Sequence, residues 1–417
     1  MGGGLIQLTN TGAQDIYLTG NPQITYFKIV YRRHTNFAME SIEQVNTGTI
    51  IPGGEIIFNI ARYGDLMYKC IVEIPVNGST ISETAPNNLG HAIFSNISID
   101  IGGQRIDSHP SSYLEVYAEL NEPLNDLVLA QNMENGSLTI FNSQFQYLAC
   151  AGGVRNASSS GFSDQANYTW EDYTRDRKNL YVPLRFWFCN DIGQSIPLIA
   201  LQYSEIFINM TFTNFSTQNT VVFTEIQKLQ LYVDYIFLDT EERRRFAQIS
   251  HEYLIDTIQY NDIEVAGENT FKLDMHNPVK EIIWCGADKN IDLWGINGSF
   301  TNVSPKDTKW KILLNSNSRM PERYIDYYTN YQPYIYHTNR ATQLTNGSDT
   351  NAIAVYSFAL KPTEHQPSGT CNFSLIDNIS LVKESTTGED ATYYYVFAVT
   401  YNILRIISGT AGLAYNN

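Results

Sequence analysis

The sequence predicts an all-β protein made from two copies of one β unit, and three observations carry this prediction. The 417 residues include 28 Tyr and 20 Phe, and charged residues make up only 17%. Such a composition is rich in strand formers and poor in the residues that cover helical surfaces. Strand-like segments recur between clusters of Gly, Pro, Asn and Ser. The chain is also longer than one hydrophobic core usually allows, which favours two domains of about 200 residues.

The clearest strand pair surrounds a glycine turn in the first quarter of the chain. Isoleucines alternate with polar residues over 97–101, so we expect one buried and one solvated face. Gly102-Gly103 supplies the positive φ angles of a tight hairpin. Asp100 and Asp107 flank the turn. We interpret them as solvent-facing strand residues and not as a catalytic carboxylate pair.

A short helix is predicted directly after this hairpin, with Ser112 as its N-cap. Two further strands are expected over 181–188 and 196–212, separated by a polar turn. The apolar face of the predicted helix consists of Tyr113, Val116, Tyr117 and Leu120.

The same order of features recurs in the second half. A strand at 312–314 runs into a turn-prone segment, so that Arg105 and Arg319 occupy matching places 214 positions apart. Trp187 and Phe358 match with an offset of 171, which leaves 43 extra residues in the first half. This weak repeat predicts two copies of one supersecondary unit.

The extra residues predict a long surface loop over 134–178, which is rich in Asn, Ser and Gly. Between the halves, residues 229–238 form a predicted strand and Asp239 caps a short linking helix. The predicted domain bounds are an N-terminal arm over 1–25, a first unit over 26–239, a helical linker over 240–250 and a second unit over 251–417.

Charge and cysteine content limit the function. The formal net charge is −16 and the pI about 4.8, so we expect no direct nucleic-acid binding. The five cysteines are scattered without a CxxC pair, which indicates buried free thiols made in a reducing compartment. We recognise no signal peptide or acylation motif, and no apolar run long enough to span a bilayer. We therefore expect synthesis in the cytosol.

No catalytic or metal-binding motif stands out. The seven histidines show no HxH or HExxH spacing, and no GxSxG sequence is present. We therefore predict no enzyme activity and no cofactor. The basic run 243–245 lies on a predicted helix, where consecutive residues point in different directions, and we expect it to pair with nearby acids.

Several long motifs, in a fixed order along the chain, resemble those of one protein family. They include YRRHTNF (31–37), GGQRID (102–107), PLIALQY (197–203) and QPSGTCNFS (366–374), together with 12–25, 233–240, 402–406 and 412–415. With these motifs the chain resembles the major capsid proteins of nucleocytoplasmic large DNA viruses, of the algal and giant-virus type. The loops 134–178 and 286–308 do not visibly match that pattern.

The resemblance implies two tandem eight-stranded jelly rolls, with short helices in the loops and in the interdomain link. It further implies a homotrimer of pseudo-hexagonal outline, in a virion shell outside an internal membrane. Three chains with two similar domains each present six similar sides, and such blocks tile a facet. Jelly rolls also leave few strand edges open. The expected partners are neighbouring capsomers, minor capsid proteins and penton proteins.

Two sets of candidate site residues are predicted, one for contacts at the inner face of the shell and one for glycosylation. Arg32 and Arg33 are candidates for an inner-face contact, either with a minor capsid protein or with an anionic membrane surface reached by the N-terminal arm. Some members of the family are glycosylated by unusual routes. The candidate acceptor sites in this sequence are Asn135, Asn156, Asn167, Asn297, Asn302 and Asn346.

Three other interpretations stay open from the sequence alone. A two-jelly-roll glycan hydrolase would call for a secretion signal, disulfides and clustered acids. A lectin-like protein would be a monomer or dimer that retains sugar. A minor capsid or penton protein would share some motifs, whereas the two-domain length and the full motif set favour the major subunit.

Overall fold

The computed structural model of the protein describes residues 3–75, 88–123, 128–131, 138–141, 143–152, 179–214, 228–265, 267–287, 300, 303–338, 352–384 and 391–415. The chain divides into two compact bodies, Met1–Asn36 and Phe37–Asn417. Within the described ranges, none of the helices combines the length and apolar character needed to span a bilayer.

Two antiparallel sheets form the first half of the larger body. Their strands are β1 (Phe37–Gln44), β2 (Asn46–Gly48), β3 (Glu55–Asn59), β4 (Leu66–Pro75), β5 (Phe94–Ile101), β6 (Gln104–Pro110), β9 (Asn179–Pro183), β10 (Ile196–Pro197), β11 (Ile206–Phe212) and β12 (Gln230–Leu238), and β7 (Val128–Gln131) pairs separately with β8 (Leu138–Phe141). One sheet has the order β1-β12-β4-β10 with β9 also on β4, and the other has the order β2-β3-β11-β5-β6. Their inner faces share a core that contains Val72 and Leu231 from the first sheet and Ile99 and Ile208 from the second.

Two further sheets form the second half. Their strands are β13 (His251–Glu264), β14 (Thr270–Leu273), β15 (Pro278–Ala287), β16 (Lys309–Leu314), β17 (Asn317–Ser318), β18 (Arg323–Tyr324), β19 (Ile353–Ser357), β20 (Cys371–Asn372), β21 (Ile379–Lys383), β22 (Tyr393–Ile407) and β23 (Thr410–Leu413). The first sheet has the order β13-β22-β15-β19, with β20 on β15 and β23 on β22. The second has the order β14-β21-β16-β17, with β18 on β16.

The two halves repeat one topology. The order β1-β12-β4-β9 in the first half corresponds to β13-β22-β15-β19, and β3-β11-β5-β6 corresponds to β14-β21-β16-β17. Two facing four-stranded antiparallel sheets in this order make a jelly roll, which confirms the predicted fold class. We call residues 37–238 the first roll and 251–413 the second roll. That each roll is a separate domain with the predicted bounds stays a prediction.

The predicted landmarks of the repeat lie near equivalent turns and strands, but the predicted residue match is off by one, since Arg105 is the second residue after its turn and Arg319 is the third. Gly102 and Gly103 turn β5 into β6 with φ angles of 60° and 81°, and Asn315 and Ser316 turn β16 into β17 with φ angles of 48° and 63°. Positive φ at both central residues is the geometry of a type I′ hairpin. The chain then reaches β9 in the first roll and β19 in the second, close to Trp187 and Phe358 respectively.

Helices are short and lie outside the sheets. They are Gly3–Thr9, Ile16–Thr19, Leu89–Ala92, Ser111–Asn121, Gln144–Ala149, Trp187–Asn190, Thr240–Gln248 and Gln332–Tyr336, with 3-10 turns at Ile192–Gln194, Leu198–Ala200 and Phe373–Leu375 and a π-helical turn at Tyr327–Tyr331. The linking helix starts as predicted, since the Asp239 carboxylate accepts a hydrogen bond from Thr240 N at 2.8 Å. Arg243 pairs with Asp65, Nε to Oδ1, at 3.0 Å.

Some local predictions were wrong. The strand expected over 181–188 ends at Pro183, and the one over 196–212 is broken after Pro197 by a 3-10 turn. Proline has no backbone N–H for a ladder hydrogen bond, so both strands stop there. Ser112 is not the N-cap of its helix, because the extended Pro110 (φ −67°, ψ 150°) precedes a helix that already begins at Ser111.

Candidate assembly surfaces

The two rolls are joined by a helix of the first roll that lies on a sheet of the second. We call Ser111–Asn121 the first-roll helix. Its predicted apolar face packs on the outer face of the β13-β22-β15-β19 sheet, where Ile283 and Phe397 lie buried. The helix contributes Tyr113, Val116 and Leu120 to this cluster, with Tyr117 packed beside them. The face that periodicity identified is therefore a joint within the chain.

Asp107 is part of this joint, so the prediction that it faces solvent was wrong. Its carboxylate is 4% exposed, lies 2.9 Å from His109 Nε2 through Oδ2, and accepts a 3.0 Å hydrogen bond from Ile258 N of the second roll. Asp100 keeps partial solvent contact and binds Arg105 Nε at 3.2 Å. The second roll covers one of the two acids and leaves the other at the surface.

A second polar contact crosses the same joint. His337 Nδ1 lies 2.9 Å from Asn121 Oδ1 of the first-roll helix, and His337 Nε2 lies 3.1 Å from Glu281 Oε2. Nearby, Lys280 Nζ pairs with Asp256 at 3.2 Å, and burial raises the pKa of the Asp256 carboxyl despite that ammonium. No pattern in the sequence indicates these pairs, because their partners are far apart in the chain, whereas the Asp107–His109 pair is visible as an Asp-x-His spacing.

A cavity of about 240 Å³ lies within this joint, with Trp187, Lys280 and Glu281 among its lining residues. The Trp187 Nε1 donor is buried there, and no residue of the described ranges accepts a hydrogen bond from it. Across the described part of the chain, no group of three or more His, Cys, Asp or Glu side chains is arranged to hold a metal ion. The joint is suited to holding two rolls together.

The N-terminal body is apolar and basic on its surface. Its three basic residues (Lys28, Arg32 and Arg33) and one acid, Asp15, give residues 1–36 a formal charge of +2, in a chain whose total is −16. Arg32 and Arg33 are exposed. Large apolar side chains are exposed throughout, as Leu18 (86%) and Phe27 (99%) show. Such a surface is typical of a segment that is covered by a partner.

The candidate glycosylation sites Asn135, Asn156, Asn167, Asn297, Asn302 and Asn346 all lie outside the described residues. Most of the predicted loops 134–178 and 286–308 lies outside them as well. The prediction that 134–178 is a surface loop throughout was wrong at residues 143–152, which form the helix Gln144–Ala149 and bury Phe145, Ala149 and Cys150 in the core of the first roll.

The five cysteines are free thiols in this structure. Four are buried, whereas Cys371 is only half-buried, so the expectation of buried thiols fails at that one position. Burial raises the pKa of the Cys70 and Cys285 thiols well above the ordinary value. These thiols are therefore protonated and unreactive core residues.

Both rolls match family models. Residues 25–239 match the model described as major capsid protein N-terminus, and residues 242–412 match the model described as large eukaryotic DNA virus major capsid protein.

Individual relatives and structures agree. The chain is 40% identical over 435 residues to the major capsid protein of Pyramimonas orientalis virus, with 100% of both chains covered. It is 33% identical over 482 residues to that of Paramecium bursaria Chlorella virus 1, again with 100% of both covered. A quasi-atomic model of the PBCV-1 virus capsid superposes with a TM-score of 0.72 at 29% identity, over 94% of this chain and 100% of that chain. The chain therefore belongs to the family of major capsid proteins of large eukaryotic DNA viruses, which are structural components of the virion capsid and not enzymes.

Proposed function

We propose that three copies of this chain form a pseudo-hexagonal capsomer, and that these capsomers tile an icosahedral shell outside an internal membrane. The observation that carries the proposal is the repeated strand order of the two rolls. A ring of three such chains has six similar sides, and a six-sided block makes the same lateral contact with each neighbour. Minor capsid and penton proteins complete the shell, which assembles in the host cytoplasm.

Light scattering on the purified protein tests the trimer. The expected mass is about three times the chain mass of 47.3 kDa. A stable monomer across micromolar concentrations would sink the proposal.

We assign the N-terminal body to the inner face of the shell. Its exposed apolar side chains and the Arg32-Arg33 pair suit a minor capsid protein or an anionic membrane surface. We propose no nucleic-acid partner, because a nucleic-acid coat needs many basic residues to replace counterions and this chain has a net charge of −16, whereas a membrane surface would meet only the +2 N-terminal body. The rest of loop 134–178, outside the packed residues 143–152, belongs to the outer surface with 286–308 beside it, because a long insertion does not obstruct packing there.

Limited proteolysis of intact particles tests this orientation. The first cuts are expected within 134–178, and residues 1–25 should stay protected until the shell is disrupted. Early loss of residues 1–25 with an intact loop would invert the assignment.

A further inference from the structure

The joint within the chain has a definite pattern. The first-roll helix follows β6 and places Tyr113, Val116 and Tyr117, at spacings of three and four, towards the outer face of the second roll's first sheet. On that face Ile283 of β15 and Phe397 of β22 are paired in register and are 2% and 0% exposed. Helix residues at these spacings share one side of the helix.

The second roll carries an equivalent helix whose corresponding side is uncovered. Residues 327–336, which we call the second-roll helix, follow β18 as the first-roll helix follows β6. Counted from the first helical residue of each segment, Ser111 and Ile325, Tyr331 and Tyr334 take the places of Tyr117 and Leu120. These two side chains and the neighbouring Ile335 are 52%, 82% and 47% exposed. Tyr328, in the π-helical turn at the start of this helix, is fully buried in the core of the second roll. The helix is thus fixed in place and presents an apolar face.

The first roll carries the equivalent sheet face, which is also uncovered. Ile71 of β4 and Tyr232 of β12 are paired in register, as Ile283 and Phe397 are in the second roll. Their strand neighbours lie in the core, so both side chains point outward, and both are only partly buried. Tyr181 of β9 points to the same side and is 39% exposed.

We propose that Tyr331, Tyr334 and Ile335 of one copy pack on Ile71, Tyr181 and Tyr232 of a second copy. The proposal rests on the trimer proposed above and names its interface. The helix and the sheet face are both exposed in the single chain, so they do not cover each other there. The contact is head-to-tail, and three repeats close a ring in which joints within and between chains alternate.

The chemistry of the two surfaces suits a contact between subunits. Tyrosine combines a large apolar ring with a polar tip and is enriched in the centres of protein interfaces. The joint within the chain is more apolar than its counterpart, with Val116 and Leu120 where the second-roll helix has Asn330 and Tyr334. A surface that is exposed before assembly needs this polar character to stay soluble.

The test compares the oligomeric mass of single variants. Tyr334→Glu alters the helix and Tyr181→Glu alters the sheet face, and each is expected to reduce the mass from three chains to one at micromolar concentration. Leu375→Glu is the matched control, since Leu375 is 80% exposed in the second roll outside both surfaces. It should remain trimeric. Unchanged circular dichroism shows that each variant is folded.

Mixing the two monomeric variants provides an independent readout. Each retains one intact surface, so an equimolar mixture is expected to form dimers that neither variant forms alone. Trimeric Tyr334→Glu and Tyr181→Glu beside a trimeric wild type would overturn this interface while leaving the trimer intact. A monomeric wild type would contradict both the proposed trimer and this interface.

Discussion

At the scale of single residues, Asp107 shows how the second roll changes the chemistry of the first. Its carboxylate binds His109 and accepts the backbone N–H of Ile258, and it lies away from water. Loss of the carboxylate leaves these buried groups without a partner, which costs about 1–3 kcal/mol.

We expect Asp107→Ala to lower the free energy of unfolding by that amount in urea titrations. Glu364→Ala is the control, because Glu364 pairs with Lys361 at an exposed position and such pairs contribute about 0–1 kcal/mol. Equal losses of unfolding free energy in the two variants would contradict a stabilising role for the buried Asp107 carboxylate.

Buried tyrosines predict a decline of stability in alkali. Burial raises the pKa of Tyr401 and Tyr253 to about 12, against about 10 in an unfolded chain. The folded protein keeps protons that the unfolded chain releases, so this stabilisation is complete below pH 10 and is lost as the pH rises towards 12.

For Tyr401 the stabilisation is already declining at pH 11, which lies between the pKa values of the unfolded and the folded state. Urea titrations at pH 8 and pH 11 should show a smaller decline for Tyr401→Phe than for the wild type. Tyr17→Phe, at a residue that is 93% exposed, should decline as the wild type does. An identical decline in all three proteins would count against the burial of Tyr401.

At the scale of elements, the two equivalent hairpins form the same turn geometry with different residues. Gly103 and Ser316 occupy the same turn position, with φ angles of 81° and 63°. A side chain in this region is strained, whereas glycine is not.

We expect Ser316→Gly to raise the free energy of unfolding by about 0.5–1 kcal/mol, and Gly103→Ser to lower it by about as much. A Cβ at Gly103 meets no atom within 4 Å, so its cost is conformational only. Ser318→Gly, at a strand residue without positive φ, should lose stability and serves as the control. A gain there equal to that at Ser316 would contradict the strain argument.

The same elements show what a sequence can predict. Turns could be predicted because Gly-Gly and Asn-Ser adopt positive φ for local reasons, and the alternation over 97–101 follows from one buried face. The pairing of β1 with β12 joins segments about 190 residues apart, and only the packed core determines it. The burial of Asp107 likewise depends on the second roll, which no pattern around residue 107 encodes.

At the scale of the whole molecule, the rolls share hydrophobic cores. The core of the first roll includes Ile255, Leu404 and Ile406 from the second, and the joint cluster draws on both. If one roll unfolded alone, apolar surface of the other roll would be exposed to water, so unfolding of a single roll is unfavourable.

We therefore expect the rolls to unfold in one transition. Tryptophan fluorescence and far-ultraviolet circular dichroism of the wild type should give the same denaturant midpoint. Leu120→Ala, in the first-roll helix, should lower both midpoints together, by about 2–4 kcal/mol in stability. Two separated midpoints in the wild type would show that the rolls are energetically independent.

The last strand pair bears on protein synthesis. Ala411 N donates to Ser204 Oγ, and Gly409 O accepts from Tyr203 N, so the hairpin of β22 and β23 fastens onto the first roll. Residue 411 is added 207 positions after Ser204, which takes on the order of 10–40 s of translation. During that interval the first roll, still attached to the ribosome, lacks its contact with the β22-β23 hairpin. A chain that terminates early never completes it, so translation must pass residue 413 before a subunit is ready for the shell.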